Sequence, residues 1–364
     1  MTADLDFMRL ALREAKKGVG RTSPNPAVGS VVVKDGRVVG KGYHRKAGEP
    51  HAEVNALRDA GAQAKNATIY VTLEPCNHTG RTPPCTKAIL AAGIARVVVG
   101  MADPNPVATG GADFLAAQGL AVTRGVLAAQ CEAINRPFVK HVSTGLPWVI
   151  MKAGMSLDGR IATHTGHSGW ITNAQSRAAV HRLRDRVDVI LVGIGTALAD
   201  DPSLTTRLPK GGGRDPLRVV LDTQLRLPAT ARMLRQESAA PTWIFCGPTP
   251  DAGKVKALAA AGAVIKPLPL AADGAIELTA VLRELGRAQM NSVLVEGGGV
   301  VHGAFLRQRL VDEVNLYVAP CLIGGDGMPV VGGLGVDTVQ DAPRLKTMRT
   351  RRYGGDLFIQ GFFS

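Results

Sequence analysis

Aromatic side chains are scarce in this 364-residue chain: Phe, Trp and Tyr together make up 4% of it. Few rings are therefore available to stack on bases, and no block of five or more Lys/Arg occurs. The net charge of +13 then reads less as a nucleic-acid footprint than as a basic surface suited to small phosphorylated substrates. No apolar run approaches the ~20 residues of a membrane span, so no membrane partner is expected. Residues Met1 to Asp6 carry two acids and no basic n-region, so no secretory signal is expected. The five cysteines are odd in number and scattered, which argues against a disulfide framework and for a reducing, cytoplasmic compartment. A G-x-G-x-x-G fingerprint after a first strand is also missing. Gly193-Ile194-Gly195-Thr196 is only a partial match.

What the chain does have is Ala, Gly and Val in the proportions of alternating strands and helices. Its length suits two domains of ~100–200 residues. Apolar spacing predicts a helix over 5–17, a hairpin over 28–39 around Asp35-Gly36, and a helix from His51 to Gly61. A strand is predicted over 68–73, a helix from Pro83-Pro84 to Gly93, and a strand over 97–99, before a last helix-strand pair. Residues 127–141 read as a helix leading to Ser143-Thr144-Gly145-Leu146-Pro147. That turn cluster divides the chain into domains 1–145 and 146–364. The second pattern predicts strands near 148–153, 187–192, 217–222, 242–246, 292–296 and 313–319. Helices are predicted near 174–184, 251–261, 276–288 and 299–309. Gly211-Gly212-Gly213 is expected to lie in a mobile loop. The alternation implies layered α/β architecture throughout.

Three fragments of the first half belong together chemically: His51-Ala52-Glu53, Glu74-Pro75-Cys76, and Cys85. One imidazole and two thiolates suit Zn2+, and three ligands leave a fourth position open, as in catalytic sites. Water at such a site ionises near neutral pH. Glu53 and Cys85 each fall near a predicted helix start, where the partial positive charge favours carboxylate and thiolate. Glu53 is then placed to take a proton from the attacking water and give it to a departing amine. A closed structural zinc would need a fourth ligand, and His78 is the available candidate. Zinc nucleobase deaminases share the H-x-E and P-C-x-x-C fragments, with cysteines two residues apart. Here eight residues, Asn77 to Pro84, separate them. Arg81 within that insertion suits a substrate phosphate. Cys131, Cys246 and Cys321 lack motif context and read as structural.

The run Thr72-Leu73-Glu74-Pro75-Cys76-Asn77-His78-Thr79-Gly80-Arg81-Thr82-Pro83-Pro84-Cys85 closely resembles the deaminase segment of the bifunctional riboflavin biosynthesis enzymes. So do Gly48-Glu49-Pro50-His51-Ala52-Glu53 and Pro24-Asn25-Pro26, although Ser23 stands where that family usually has His. The second half resembles the reductase domain of the same family at 152–160, 168–172, 200–207 and Val295-Glu296-Gly297-Gly298-Gly299. The resemblance implies a cytidine-deaminase-like three-layer α/β/α domain, then a dihydrofolate-reductase-like α/β domain. It implies deamination of a diaminopyrimidinone ribosylamino phosphate, then NADPH-dependent reduction of the ribosyl group to a ribityl chain. By motif matching, Gly154, Trp170, Thr196, Asp200, Thr223, Gly298, Gly299, Val300, Val301, His302, Gly303 and Ala304 would contact NADPH. Asn25, Ser168, Arg184, Leu204, Arg207 and Glu296 would contact substrate, and a homo-oligomer, dimer or tetramer, is expected.

On physical grounds alone, the strand 292–296, its glycine turn and the helix after it form a candidate phosphate cradle. Lys152, Asp158 and Asp200 are the candidate proton donors of the reductase, with Asp200 the first to test. Two other readings compete. An RNA-directed zinc deaminase would use the charge but leaves the second half unexplained. A non-catalytic zinc module fused to a nucleotide-binding domain would give Glu53 no role.

Overall fold

The structure is a computed structural model that describes residues 2–79 and 83–363. The chain divides into two compact units, Met1–Leu146 and Pro147–Ser364.

In the first unit the order is α1 (Thr2–Gly18), β1 (Gly29–Lys34), β2 (Arg37–Tyr43), α2 (Ala52–Ala60), β3 (Thr68–Leu73), α3 (Cys85–Ala91), β4 (Arg96–Met101), α4 (Gly111–Ala117), β5 (Ala121–Thr123) and α5 (Ala128–Thr144). The strands form one sheet in the order β2-β1-β3-β4-β5. β1 pairs antiparallel with β2 and β3, while β3, β4 and β5 run parallel. The two-residue period of a strand sorts side chains to opposite faces. Val31, Val33, Tyr70 and Val98 pack with Met8, Leu12 and Cys131 from α1 and α5. Val32, Ile69, Val71, Val97 and Val99 pack with Ala52, Ala56, Ile89 and Leu115 from α2, α3 and α4. Each fully buried Val, Ile or Leu contributes ~1.5–3 kcal/mol. The two faces together make the three-layer α/β/α stack expected of the first half.

The second unit contains β6 (Trp148–Met155), β7 (Arg160–Ala162), α6 (Ala174–Arg184), β8 (Val189–Gly193), α7 (Ile194–Asp200), β9 (Leu217–Leu221), α8 (Arg232–Arg235), β10 (Thr242–Cys246) and α9 (Ala252–Ala260). It continues with β11 (Ala263–Pro267), α10 (Leu278–Arg287), β12 (Ser292–Val295), α11 (Gly299–Arg307), β13 (Glu313–Val318), β14 (Met328–Pro329), β15 (Thr347–Tyr353) and β16 (Asp356–Phe362). Nine strands form one sheet, β11-β10-β9-β8-β12-β6-β13-β16-β15. The strands from β11 to β13 are parallel, and β16 and β15 are antiparallel. Val189–Gly193 and Ser292–Val295 are buried along their whole length, as strands covered on both faces must be. Helix α10 buries Leu278, Val281, Leu282 and Leu285, an i, i+3, i+4, i+7 stripe.

The sequence reading missed β7, α7, α8, β11, β14, β15 and β16. Strand β15, Thr-Met-Arg-Thr-Arg-Arg-Tyr, lies at the sheet edge and is exposed over six of its seven residues. It therefore carries no apolar alternation to read. The Gly354-Gly355 pair that turns it into β16 was the available signal, since Gly354 has φ +59°. The 209–214 loop, expected to be mobile, is held at its end. Arg214 N–H donates to Asp185, and Thr206 Oγ1 donates to the Arg214 carbonyl.

Candidate active sites

Helix α2 lies unusually close to the β1–β2 hairpin because Gly42 has no Cβ. A Cβ there would stand 2.4 Å from both the Ala52 carbonyl and the Ala56 nitrogen. This seats the start of α2 against the sheet, with His51 as its N-cap and Glu53 in its first turn. Gly111 does the same for α4, since a Cβ would fall 1.8 Å from the Pro75 carbonyl oxygen. Glu74 then caps that helix, accepting from Ala112 N–H at 2.9 Å and from Asp103 N–H at 3.2 Å. The Glu74-Pro75-Cys76 turn is therefore fixed from both sides, with Cys76 at its tip. Cys85 is the first residue of α3 and is fully buried.

The three ligand atoms of His51, Cys76 and Cys85 all lie within 4.8 Å of one another. Tetrahedral zinc, with bonds of roughly 2.0 Å to nitrogen and 2.3 Å to sulfur, puts N···S neighbours roughly 3.6 Å apart. His51 Nδ1 stands 3.2 Å from Cys85 Sγ and 3.6 Å from Cys76 Sγ. The donor set therefore fits zinc in both kind and spacing. His78 does not join this group, the one such cluster among the described residues, so the structure offers the metal no fourth protein ligand from that side chain. A hydrogen bond from the Cys85 thiol, opposed by burial and aided by His51, pulls the Cys76 thiol down to about 4. The same bond, with burial, pushes Cys85 up.

Glu53 is 3% exposed. Burial pushes its carboxyl up to about 7, with the neighbouring His51 opposing the shift. A group that titrates near neutral pH can both accept and deliver a proton. Asn25 is also brought to this site. His44 Nδ1 faces the Pro50 carbonyl at 3.3 Å, which can only accept, so Nδ1 carries the proton. Nε2 then accepts from the Asn25 amide at 3.1 Å. Burial lowers the His44 pKa, in keeping with this neutral form. Its ring meets His51 edge-on, with centroids 5.2 Å apart. Arg81 lies outside the described residues.

The sequence reading missed His44 and Asp103. Burial pushes Asp103 up to about 6, opposed by the hydrogen bond its carboxylate accepts from the Asn105 N–H. It follows β4 directly, and the carboxyl ends of parallel strands are where such folds place their sites. That position, followed by Pro104-Asn105-Pro106, was the signal available.

In the second unit a cleft of about 980 Å³ opens at the carboxyl ends of β9, β8, β12 and β6. Of the residues expected to contact cofactor, Gly154, Trp170, Thr196, Asp200, Thr223, Gly298, Gly299, Val300, Val301 and Ala304 line it. His302 and Gly303 are buried within α11 and do not. Ser168, Arg184, Arg207 and Glu296 line it too, whereas Leu204 is buried in the core beside Leu225 and Met233. Two glycine-bearing strand-to-helix junctions sit side by side here, Gly193-Ile194-Gly195 where β8 passes into α7 and Gly297-Gly298-Gly299 where β12 passes into α11. A Cβ on Gly298 would lie 3.6 Å from Thr196 Oγ1. The partial glycine motif at 193–196 is thus half of a paired cradle in which backbone N–H groups can approach phosphates. Such a cradle fits a dinucleotide.

Glu296 is the charged centre of the cleft. Its carboxylate accepts from Arg184 Nε and Nη2, each at 2.8 Å, and from Lys152 Nζ at 3.2 Å. Burial alone would raise its pKa, but Arg184 and Lys152 outweigh burial and hold it well below the usual carboxylate range. Burial, with Arg184 and Arg207, lowers His181 to about 4, so it is neutral and accepts from Arg207 N–H. Trp170 is 76% exposed with the Arg177 guanidinium 4.3 Å above its ring. Asp158 does not line the cleft. It accepts from Ser156 Oγ and from the Ile323 and Gly324 amides, which makes it a turn anchor. Of the candidate proton donors, Lys152 and Asp200 line the cleft, and burial raises the Asp200 pKa. Cys131 and Cys246 are buried, as structural residues would be, but Cys321 is exposed.

Residues 1–101 match the family described as "Cytidine and deoxycytidylate deaminase zinc-binding region", and residues 147–359 match "RibD C-terminal domain". The riboflavin biosynthesis protein RibD of Bacillus amyloliquefaciens is 45% identical over 96% of this chain and 94% of its own. Its Escherichia coli K12 counterpart is 42% identical over 97% of both. Acinetobacter baumannii RibD superposes with TM-score 0.89 at 36% identity, covering 99% of each chain. A Thermotoga maritima structure described as diaminohydroxyphosphoribosylaminopyrimidine deaminase/5-amino-6-(5-phosphoribosylamino)uracil reductase gives 0.86 at 35% identity, again over 99% of each. These matches span both units, so the RNA-directed and non-catalytic readings have no support.

Proposed function

The chain belongs to the RibD family of bifunctional riboflavin-biosynthesis deaminase-reductases, and from that premise we propose how its residues divide the work. The observation that carries the first step is the His51, Cys76 and Cys85 cluster with Glu53 buried beside it. These three side chains would hold zinc, which when bound polarises water for attack on the amine-bearing ring carbon. Glu53 takes the proton released by the water and hands it to the amine, which leaves as ammonia while the oxygen stays on the ring. Asn25, held by His44, orients the pyrimidine. Arg81 is proposed to meet the phosphate.

The second step belongs to the cleft of the other unit. NADPH supplies the hydride there. Gly154, Trp170, Thr196, Asp200, Thr223 and the 298–304 segment are proposed to hold it, with Val300, Val301 and Ala304 facing it and His302 and Gly303 supporting the helix. Ser168, Arg184, Arg207 and Glu296 are proposed for the substrate, and Leu204 for the backbone turn that presents Arg207. Opening the ribosyl ring to a ribityl chain also requires a proton, and Asp200 is proposed to donate it. Replacing Asp200 by Asn is expected to slow single-turnover reduction about 10²–10⁴-fold. Unchanged single-turnover reduction would assign the proton to Lys152 or to water.

The overall test is incubation with the diaminopyrimidinone ribosylamino phosphate. Without NADPH, mass analysis is expected to show exchange of an amino group for oxygen and nothing more. With NADPH, the product also gains two hydrogens. Loss of ammonia only when NADPH is present would overturn the division into independent sites. No helix among the described residues is long and apolar enough to cross a membrane. We place the enzyme in the cytoplasm as a dimer or tetramer, an assembly that light scattering on the purified chain would measure.

A further inference from the structure

Residues 328–333 run as a strap along helix α11 and form part of the wall of the reductase cleft, where Met328, Pro329 and Gly332 line it. None of the six residues is buried, so the strap has no core anchor of its own. Hydrogen bonds set its place. On one side Met328 and Pro329 pair with β7, and Val330 N–H donates to the Gly159 carbonyl at 2.9 Å. On the other side the partner is α11. Gly332 N–H donates to the Gly299 carbonyl at 2.7 Å, and Arg307 Nη1 donates to the Gly333 carbonyl at 2.6 Å.

Helix α11 thus serves two neighbours. Val300, Val301 and Ala304 line the cleft. Gly299, His302, Gly303 and Arg307, spaced i, i+3, i+4 and i+8, meet the strap. The glycines let the two backbones close. A Cβ on Gly299 would stand 2.4 Å from the Pro329 carbonyl oxygen, and one on Gly303 would stand 3.1 Å from that of Gly332. His302 is fully buried, and its Nδ1 lies 2.9 Å from the Val330 carbonyl oxygen. A carbonyl only accepts, so Nδ1 carries the proton. Burial lowers the pKa of the ring, in keeping with a neutral imidazole whose single proton sits on that atom. Val330 is therefore held through both of its backbone groups, its N–H on Gly159 and its C=O on His302.

We propose that His302 is a positioning residue of the reductase, which pins the 328–333 strap to α11 and so holds the cleft wall in the shape that receives the dinucleotide. The inference deepens the reductase reading of this cleft and rests on it. His302 does not line the cleft, so it acts through the strap and not by touching a ligand. Without its donor the Val330 carbonyl loses its partner on the α11 side, and an unmade bond to a shielded carbonyl is costly. The strap then spends part of its time away from the helix. A ligand that binds only the closed wall is weakened by the fraction of molecules in which the wall is open. Helix α11 thereby carries both the side chains that face the cleft and the one that fixes the opposite wall.

Amide hydrogen exchange across the strap and calorimetric titration with NADP+, both on the full-length protein, test this without turnover. Two substitutions separate pinning from filling space. His302→Leu keeps most of the volume and loses the donor. His302→Asn is smaller, but its amide nitrogen stands where Nδ1 stood and keeps the donor. In the parent protein NADP+ is expected to slow exchange of the Val330 and Gly332 amides. In His302→Leu their exchange is expected to quicken about tenfold or more, with the Kd for NADP+ raised several-fold. His302→Asn is expected to stay near the parent in both. Unchanged exchange in β8 and β12 shows that each variant is folded. Gly303→Ala, which presses a methyl on Gly332 and leaves His302 in place, is expected to move as His302→Leu does and decides the question if that variant does not fold. Parent-like behaviour of His302→Leu with loss of binding in His302→Asn would overturn the inference in favour of space filling. Faster strap exchange with unchanged NADP+ affinity would overturn it too, and both results leave the reductase reading standing. Failure of the parent protein to bind NADP+ would overturn that reading itself.

Discussion

Replacing Glu53 by Gln is expected to lower the deamination rate by about 10²–10⁴-fold while leaving zinc bound at one ion per chain. The ligand atoms belong to His51, Cys76 and Cys85, so the metal does not depend on Glu53. Glutamine keeps the size and shape of the side chain and cannot accept the proton. Burial disfavours the charged form of Glu53 and raises its pKa, so a neutral amide of the same shape is tolerated there. The substitution therefore removes a proton acceptor at little structural cost. Reduction of substrate that has already lost its amine is expected to continue, since the cleft residues all belong to the other unit. His51→Ala serves as the contrast and is expected to lose both metal and deamination. Metal analysis and product mass, measured on the same samples, separate the two cases. Deamination by Glu53→Gln within a factor of a few of the parent enzyme would rule Glu53 out as the proton carrier.

This site was legible in the sequence because its parts lie at fixed points of regular elements. His51 caps α2, Glu53 follows in its first turn, and Cys85 opens α3. Such positions are readable from spacing and from helix punctuation. The residues that hold those points in place were not legible. Nothing adjacent in sequence ties Glu74 to the amides of Asp103 and Ala112, or Asn25 to His44. They meet only because the order β2-β1-β3-β4-β5 brings four loops together. The zinc motif also drew attention to Glu74 as part of a catalytic string, when its carboxylate is a helix cap.

The second unit was less legible for a related reason. Its cleft is assembled from the ends of strands far apart in the chain: Lys152 on β6, Arg184 on α6, Thr196 on α7, Thr223 after β9 and Glu296 after β12. A single glycine motif carries little weight alone, and the pairing of 193–196 with 297–299 appears only once β8 lies beside β12. Helix periodicity found α10 and α11 because each presents one apolar face. It missed α7, seven residues long, whose two turns are too short to show a period. The Arg184–Glu296 pair joins residues 112 apart. No local pattern could have distinguished that arginine from a solvated one on a helix face.

That pair carries the second large expectation. Glu296→Gln should destabilise the 147–364 unit by about 3–5 kcal/mol and abolish reduction, with deamination retained. The carboxylate accepts two bonds from Arg184 and one from Lys152. These side chains are only 13% and 16% exposed. A glutamine amide offers one acceptor, and its NH2 faces groups that only donate, so two buried cations lose their counter-charge. For a unit of this size the loss corresponds to a fall in unfolding midpoint of roughly 6–20 °C. The pH dependence has a definite sign. The folded state holds Glu296 well below its ordinary value of 4.5, whereas the unfolded chain takes up a proton there. The contribution is therefore complete above that value and is lost as pH falls through the acid range toward the depressed folded pKa. The variant should show a shallower loss of stability over that interval than the parent protein. A triple replacement, Glu296→Leu with Arg184→Leu and Lys152→Met, separates structure from chemistry. Removing all three charges together should recover much of the stability, and reduction should stay absent because no polar group remains to meet the substrate. Calorimetric scans of the parent, the single variant and the triple variant, each paired with an NADPH oxidation assay, decide the matter. An unchanged midpoint in Glu296→Gln would show that Arg184 and Lys152 find their counter-charge elsewhere.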